Sequence, residues 1–251
     1  MSQTHHLLVD GDRLTKRYVS WSRGEHRREW AVLHRVYARY PDLVPEPIEA
    51  DLDADPPTVS MGLLPGTPLT DGLDTDQQAA LAASLRQLWS VPCADLPARR
   101  DHPAEIHALM TERMAGLDLP GSAGEAARAA RSFLGRLRLG PAGNTVLGHT
   151  DPNLANYLWD GQRIRIVDFE DAGRSDREFE LADLVEHLSA RRADWTGFLT
   201  MFDLDGDRLL DARRLYATFW LHMLRPGGPA EHRNPPGTLD QQAERLLNLL
   251  N

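Results

Sequence analysis

The stretch HTDPNLANYLWDGQRIRIVDFE, residues 149–170, decides the fold. It places Asp151 five residues before Asn156, and it ends with Asp168 after the apolar run IRIV. The pair Asp160-Gly161 is a turn signal between two strand-like runs, so this stretch predicts a loop followed by a β-hairpin.

A two-residue turn at Asp160-Gly161 would place Asn156 opposite Arg165 and Asn153 opposite Asp168. The rise of a strand then leaves Asp168 roughly 10 Å along from the residue that faces Asn156. Curling of the loop can close that gap. We expect this hairpin to be the only strand pair in the second part of the chain, where the rest of the pattern is helical.

These residue types suit phosphoryl transfer. That reaction needs a carboxylate to orient the attacking hydroxyl, oxygen ligands for magnesium and a cation on the phosphates. Asp151, Asn156 and Asp168 supply the first two. Taken singly, such residues are more often turn and cap residues, so the prediction depends on their joint spacing.

The pattern H-x-D-x(4)-N, followed by an apolar strand and D-F-E, resembles the aminoglycoside phosphotransferase and choline kinase family. Members are small-molecule kinases with a protein-kinase-like fold. The resemblance implies that Asp151 is the catalytic base and that Asn156 and Asp168 bind Mg²⁺. It also implies that His149 braces the loop.

The first part of the chain carries a weaker form of the same resemblance. Of the 28 Lys and Arg residues, a single one is lysine, Lys16, and it follows an Asp10-Gly11 turn on a predicted strand. Glu29 lies 13 residues later in a helical pattern. The resemblance implies a Lys16–Glu29 ion pair that holds the phosphates of ATP or GTP. Glu25, one helical turn earlier, is the alternative partner.

The segment MGLLPG, residues 61–66, looks like the hinge of this family. The resemblance implies that backbone groups of Gly62 and Leu64 bond adenine, with Met61 beside them.

The resemblance implies a bilobal α+β fold, and 251 residues are enough for two lobes that share a cleft. We expect a small sheet-plus-helix lobe over residues 1–64, a hinge at about 61–66, and a mostly helical lobe over 65–251 that holds the catalytic loop and the acceptor site. Capping-box spacing predicts helix starts at three positions: Asp74 with Gln77, Ser122 with Glu125, and Thr238 with Gln241.

Some positions depart from the family pattern. Thr150 stands where the family usually has Gly, and Glu180 stands where it usually has Asp. Few residues, 5–12, precede the strand of Lys16, so we expect either weaker nucleotide binding or a simplified lobe. Glu170 has two open interpretations, contact with a second metal ion or a hydrogen bond to the backbone.

Charge and composition exclude several classes of protein. A net charge of −9 argues against nucleic-acid binding, which needs basic patches. No apolar stretch is long enough for a membrane span, and a single cysteine, Cys93, fits a reducing compartment, so we expect a cytoplasmic protein. The acidic residues of the later helices form either a solvated face or a surface for the acceptor, which we therefore expect to carry positive charge.

These observations predict a Mg²⁺-dependent phosphotransferase that uses ATP or GTP and acts on a hydroxyl of a small molecule. Candidate acceptors are antibiotics, as in resistance enzymes, amino alcohols, sugars and biosynthetic intermediates. The alternative is a kinase-fold nucleotide- or ligand-binding protein with little or no turnover. A protein kinase is disfavoured, because only about ten residues separate Asp168 from the next predicted helix and leave little room for an activation segment.

Overall fold

The computed structural model describes residues 5–70, 72–140 and 145–251. The chain begins with a four-stranded antiparallel sheet of order β1-β2-β4-β3, and one helix, α1, packs against β3 and β4. The bounds of these elements are β1 (His6–Asp10), β2 (Arg13–Arg17), α1 (Glu25–Tyr37), β3 (Pro47–Asp51) and β4 (Thr58–Gly62).

The first hairpin forms as predicted, with its turn one residue later. Asp10 pairs with Arg13, so Gly11 and Asp12 make the turn. Gly11 has φ 59°, a left-handed conformation that glycine adopts without steric cost. Leu7 pairs with Lys16 across the two strands, and both side chains therefore lie on the same face of the sheet.

The rest of the chain is mostly helical. Its helices are α2 (Thr75–Trp89), α3 (Pro103–Ala115), α4 (Gly121–Arg136), α5 (Arg177–Glu186), α6 (Thr196–Leu199), α7 (Gly206–Leu224) and α8 (Thr238–Leu250). In the described part of the chain, no helix has both the length and the apolar character needed to span a membrane.

One of the three predicted caps is confirmed. The Asp74 side chain accepts a hydrogen bond from the Gln77 N–H at 2.8 Å, and the Gln77 side chain accepts one from the Asp74 N–H at 3.1 Å. The other two predicted caps do not form. Helix α4 begins one residue before Ser122, which lies inside the first turn. The Thr238 hydroxyl donates to Pro235 O at 2.7 Å and so faces the preceding turn.

The second part of the chain contains more strands than predicted. Its strands are β5 (Thr67–Pro68), β6 (Thr145–Gly148), β7 (Tyr157–Trp159), β8 (Ile164–Ile166) and β9 (Gly173–Asp176). Strand β5 adds to the predicted hairpin in a sheet of order β5-β7-β8, and β6 pairs with β9. The expectation of a single strand pair was wrong, because strands of two to four residues are too short to show an alternating pattern.

The register of the β7–β8 hairpin also differs from the predicted one. Trp159 pairs with Ile164, and the loop has four residues in place of two. The Asp160 carboxylate stabilises this longer loop by accepting hydrogen bonds from the N–H groups of Gln162 and Arg163, both at 2.9 Å.

The shift of two residues keeps every side chain on its predicted face. It also brings the far end of β8 closer to the loop. The Val167 N–H donates to Asn156 O at 3.0 Å, so Asp168 comes one residue after the partner of Asn156. The predicted offset of roughly 10 Å was therefore too large.

The buried apolar side chains form two clusters. One is continuous from the N-terminal sheet through α2 to the hairpin and α5, and it includes Leu33, Val59, Leu81, Ile166 and Leu184. The other holds α3, α4, α7 and α8 together. The sheet ends at Gly62 and the next strand begins at Thr67, while the division of the chain into lobes at residue 64 stays a prediction.

Candidate active site

Strand β2 and helix α1 bring Lys16 and Glu29 together. Lys16 Nζ donates to Glu29 Oε2 at 2.9 Å, and both residues are buried. The Tyr18 hydroxyl donates to the same glutamate oxygen. Glu25 instead accepts a hydrogen bond from Arg23 Nε at 2.8 Å. Of the two candidate glutamates, Glu29 is the one in contact with Lys16.

The end of the β7–β8 hairpin reaches the same lysine. Lys16 Nζ donates to Asp168 Oδ1 at 2.5 Å and to Glu170 Oε2 at 2.7 Å, across 152 and 154 sequence positions. The His5 Nε2 atom lies 2.7 Å from Glu170 Oε2. Glu170 thus contacts two basic side chains, and its contact with a second metal ion stays a prediction.

Three carboxylates therefore share one ammonium group. Removal from bulk water raises the pKa of Asp168 to about 6, and Glu29 and Glu170 act in the same direction against the charge of Lys16. Burial would also raise the pKa of Glu170, but hydrogen bonds from His5 and Lys16 hold it at about 2. The cluster has more negative than positive charge, which favours binding of a further cation.

The loop before the hairpin is closed by a short 3₁₀ turn, Leu154–Asn156. Asn156 Nδ2 donates to Asp151 O at 3.1 Å, and the Asp151 carboxylate accepts from the Asn153 N–H at 3.3 Å. Because the nitrogen of the Asn156 amide is engaged, its carbonyl oxygen is the atom that could serve as a metal ligand.

His149 joins this loop to the strand that carries Asp168. Its Nε2 donates to Val167 O at 2.8 Å, and its ring packs edge-on against Phe169 at a centroid distance of 4.9 Å. The imidazole is buried. This geometry agrees with the bracing role that the resemblance implied.

Two residues of the site have left-handed backbone conformations. Thr150 has φ 74° and Asp168 has φ 70°, values that few residues other than glycine adopt. The Glu180 carboxylate accepts hydrogen bonds from the N–H groups of His149 at 2.9 Å and Thr150 at 3.4 Å. Both departures from the family pattern, Thr150 and Glu180, thus meet directly beside Asp151.

Arg99 supports this arrangement, although nothing in the sequence predicts a role for it. Its Nη1 donates to Glu180 Oε1 at 2.7 Å and its Nη2 to Asp183 Oδ2 at 2.6 Å, in a fully buried position. A Cβ atom at Gly148 would lie 2.3 Å from Glu180 Oε1, so the glutamate occupies the space of a side chain there. No local pattern marks Arg99, because its burial depends on tertiary packing.

Two backbone N–H groups of the predicted hinge are already engaged. The Gly62 N–H donates to Glu46 O at 2.8 Å, and the Leu63 N–H donates to Asp12 O at 2.6 Å. A base could therefore use the Gly62 carbonyl but not its N–H. Met61 is buried and Leu64 is half-buried. Their contact with adenine stays a prediction.

The acidic residues of the later helices have different environments. Glu186 is buried and accepts hydrogen bonds from Arg213 and Arg245, so it belongs to no solvated acidic face. Asp203, Asp205 and Asp207 line a cavity of about 490 Å³ that no residue of the 149–156 loop lines.

The sequence profile of the phosphotransferase enzyme family matches residues 8–216. None of the curated protein sequences matches the chain.

Several solved structures have a similar fold. A choline/ethanolamine kinase family protein from Mesorhizobium loti is 16% identical over 100% of this chain and 86% of its own, with a TM-score of 0.69. A choline kinase from Streptococcus pneumoniae is 14% identical over 100% and 90%, with a TM-score of 0.64.

An aminoglycoside phosphotransferase from Streptomyces rimosus, solved with ADP and streptomycin, is 19% identical over 86% and 92%, with a TM-score of 0.60. These likenesses confirm the predicted α+β, protein-kinase-like fold class.

Proposed function

The chain belongs to the phosphotransferase enzyme family, and from this premise we propose that it transfers the γ-phosphoryl group of ATP or GTP to a hydroxyl of a small molecule. One observation carries the proposal. Lys16, Glu29 and Asp168, which lie far apart in the sequence, meet within hydrogen-bonding distance beside the loop of Asp151.

The nucleotide would lie under the N-terminal sheet. Leu7 and Val9 are 44% and 59% exposed, and their pairing with Lys16 and Leu14 puts them on the face that carries the lysine. An adenine or guanine ring can cover these apolar side chains. The Lys16 ammonium, oriented by Glu29, would contact the phosphates as a compact point charge.

The acidic residues of the site fit a divalent cation. Carboxylate oxygens of Glu29, Asp168 and Glu170 lie within 4.8 Å of one another, and hard cations prefer oxygen ligands. We assign Asp168 and the carbonyl oxygen of Asn156 as Mg²⁺ ligands, with Glu170 beside them. Magnesium bound there would neutralise charge that develops on the phosphates.

Asp151 would act on the acceptor. Its carboxylate orients the hydroxyl for attack on the γ-phosphorus and accepts the hydroxyl proton. The bond from the acceptor oxygen to phosphorus forms as the bond to the leaving nucleoside diphosphate breaks. Glu180 and His149 hold the loop so that Asp151 keeps its position.

The rival function is nucleotide or ligand binding with little turnover. The complete set of Lys16, Asp151, Asn156 and Asp168 favours the enzyme, because a kinase fold without catalysis usually lacks at least one of them. We further propose a cytoplasmic location, since the chain has one cysteine and its proposed donor is a nucleoside triphosphate.

Calorimetric titration with Mg²⁺-ATP tests this proposal through Asp168→Asn. Asparagine tolerates the left-handed backbone at this position but removes the carboxylate charge. We expect the wild-type protein to bind Mg²⁺-ATP and the variant to lose magnesium-dependent binding. The control is Asp42→Asn, at an exposed residue paired with Arg163. Equal affinity of wild type and Asp168→Asn would refute the assigned metal site.

A further inference from the structure

The segment that follows α5 lies against the candidate catalytic loop. The Ser189 hydroxyl oxygen accepts a hydrogen bond from the Leu154 N–H at 3.0 Å and is 2.7 Å from His187 Nδ1. Leu154 is three residues after Asp151. Residues 187–191 therefore form one side of the space in which an acceptor would meet Asp151.

His187 presents a hydrogen-bond donor to this space. Ser189 N–H donates to His187 Nδ1 at 3.2 Å, which leaves the hydrogen of a neutral ring on Nε2. Partial burial lowers the pKa of His187 to about 4, with Asp151 opposing this shift and Arg191 contributing to it. The ring also packs edge-on against Trp220 at 5.1 Å.

Arg191 is a cation without a counter-ion among the described residues. Its Nη2 donates to the neutral Gln242 Oε1 at 3.3 Å, its Nε is buried with no hydrogen-bond partner, and no described carboxylate lies within the 4.0 Å of an ion pair. Burial lowers the pKa of Arg191 to about 10, and Arg245 acts in the same direction. Glu186 raises the pKa of Arg191 but does not offset these two effects.

A second unpartnered donor belongs to the same region. Gln242 Nε2 donates to Ala217 O at 2.9 Å, and Trp220 lies almost one turn further along α7. The indole Nε1–H of Trp220 is buried and has no partner. A buried N–H without an acceptor costs on the order of 1–3 kcal/mol. An anionic group bound here would relieve part of that cost.

We propose, as an extension of the proposed function, that the acceptor is a hydroxylated carboxylic acid, with its carboxylate on Arg191 and its hydroxyl between Asp151 and His187 Nε2. The guanidinium fork matches the planar carboxylate. One unpaired cation matches a monoanion better than a doubly charged phosphate.

This assignment differs from the cationic acceptor expected from the net charge of −9. Surface charges are largely screened beyond about 8–10 Å at physiological ionic strength. Arg191 would instead contact the acceptor directly. Local contacts therefore outweigh the net charge in choosing the acceptor.

Matched triplets of small alcohols test the assignment. The three compounds of a triplet share one hydroxylated carbon skeleton and differ in one group, which is a carboxylate, a carboxamide or an amine. Lactate, lactamide and 1-amino-2-propanol are an example. ATP-dependent phosphorylation of each compound is measured with the wild type, Arg191→Met and Arg191→Lys. We expect the wild type to prefer the acid over its amide by at least about 10-fold in kcat/KM, the effect of a hydrogen bond to a charged group.

Arg191→Met should reduce this preference to about one, and Arg191→Lys should restore part of it. The ratio within one preparation is independent of the folded fraction. Arg136→Met, at an exposed arginine of α4 that donates a hydrogen bond to Ser132 in its own helix, serves as the control and should keep the wild-type preference. Phosphorylation confined to amides or amines, or the same preference in Arg191→Met, overturns the carboxylate site. If the wild type shows magnesium-dependent ATP binding but phosphorylates no acid, the carboxylate site is also overturned. If the wild type does not bind Mg²⁺-ATP at all, the proposed function itself is rejected.

Discussion

Lys16 lies at the centre of the candidate site, where it contacts Glu29, Asp168 and Glu170. Composition already singles it out in the sequence, without the family resemblance, because the other Lys and Arg positions are all arginine. A solvated position on a strand would accept either lysine or arginine. A position between three carboxylates and the phosphate of the proposed nucleotide would favour a compact ammonium on a flexible stem.

Lys16→Arg should therefore retain the fold but misplace the phosphates, because a planar guanidinium needs more room and a fixed fork geometry. We expect a loss of about 1 to 3 kcal/mol in transition-state stabilisation, or about 5- to 150-fold in kcat/KM. Steady-state kinetics give the value. The control is Arg13→Lys, because Arg13 lies on the same strand as Lys16 and pairs with the exposed Glu49. Small and equal effects in both variants would mean that the single lysine is an accident of composition.

The residues that sequence reasoning found share a local signal. Asp151, Asn156 and Asp168 belong to one motif with fixed spacing, and Lys16 and Glu29 lie on elements that the apolar pattern predicts. His5 and Arg99 have no such signal. Their contacts with Glu170 and Glu180 join segments far apart in the sequence, and only the packed structure shows them.

At the level of elements, helix α5 and the loop before β7 form one unit. Glu180 on α5 accepts the backbone N–H of His149, and Arg99, which precedes α3, holds that glutamate in place. Because this ion pair is buried, removal of the arginine would leave Glu180 and Asp183 as unpaired charges.

Arg99→Met should lower the free energy of unfolding by about 3 to 5 kcal/mol, the usual cost of a buried charge that has lost its partner. Urea denaturation measures this. The matched control is Arg35→Met, because Arg35 makes two hydrogen bonds to Asp95 on an exposed surface, at 2.5 and 2.6 Å. That change should cost less than about 1 kcal/mol. Equal costs for the two arginines would contradict the bracing role of Arg99.

Long elements were easier to predict than short ones. Helix α2 follows its capping box, whereas β5, β6 and β9 have two to four residues and depend on partners elsewhere in the chain. The hairpin register was missed because the Asp160 side chain stabilises a four-residue loop that resembles a two-residue turn in sequence. Because the register differs by two residues, every side chain still lies on its predicted face, and Asp168 still lies at the end of the hairpin next to the loop.

For the whole molecule, one continuous apolar cluster joins the N-terminal sheet to the hairpin and α5. This packing fixes Lys16 on the sheet relative to Asp168 on the hairpin. Composition indicated a globular protein without a nucleic-acid surface, and the motif indicated the family. Neither could indicate the acceptor, because the proposed acceptor site combines the segment after α5 with side chains of α7 and α8, which only the packed structure brings together.

The most direct test of phosphoryl transfer compares the wild type with Asp151→Asn. Asparagine keeps an oxygen that can accept the hydrogen bond from the Asn153 N–H. Its amide is a much weaker base than a carboxylate, so it cannot take the hydroxyl proton. Both proteins are incubated with Mg²⁺-ATP and a panel of hydroxylated metabolites and antibiotics, and mass spectrometry follows the gain of one phosphate. We predict that the wild type phosphorylates at least one compound and that Asp151→Asn does so at least ~100-fold more slowly with nucleotide binding nearly intact. A near-normal rate in Asp151→Asn, or no phosphorylated product with the wild type, would contradict the account.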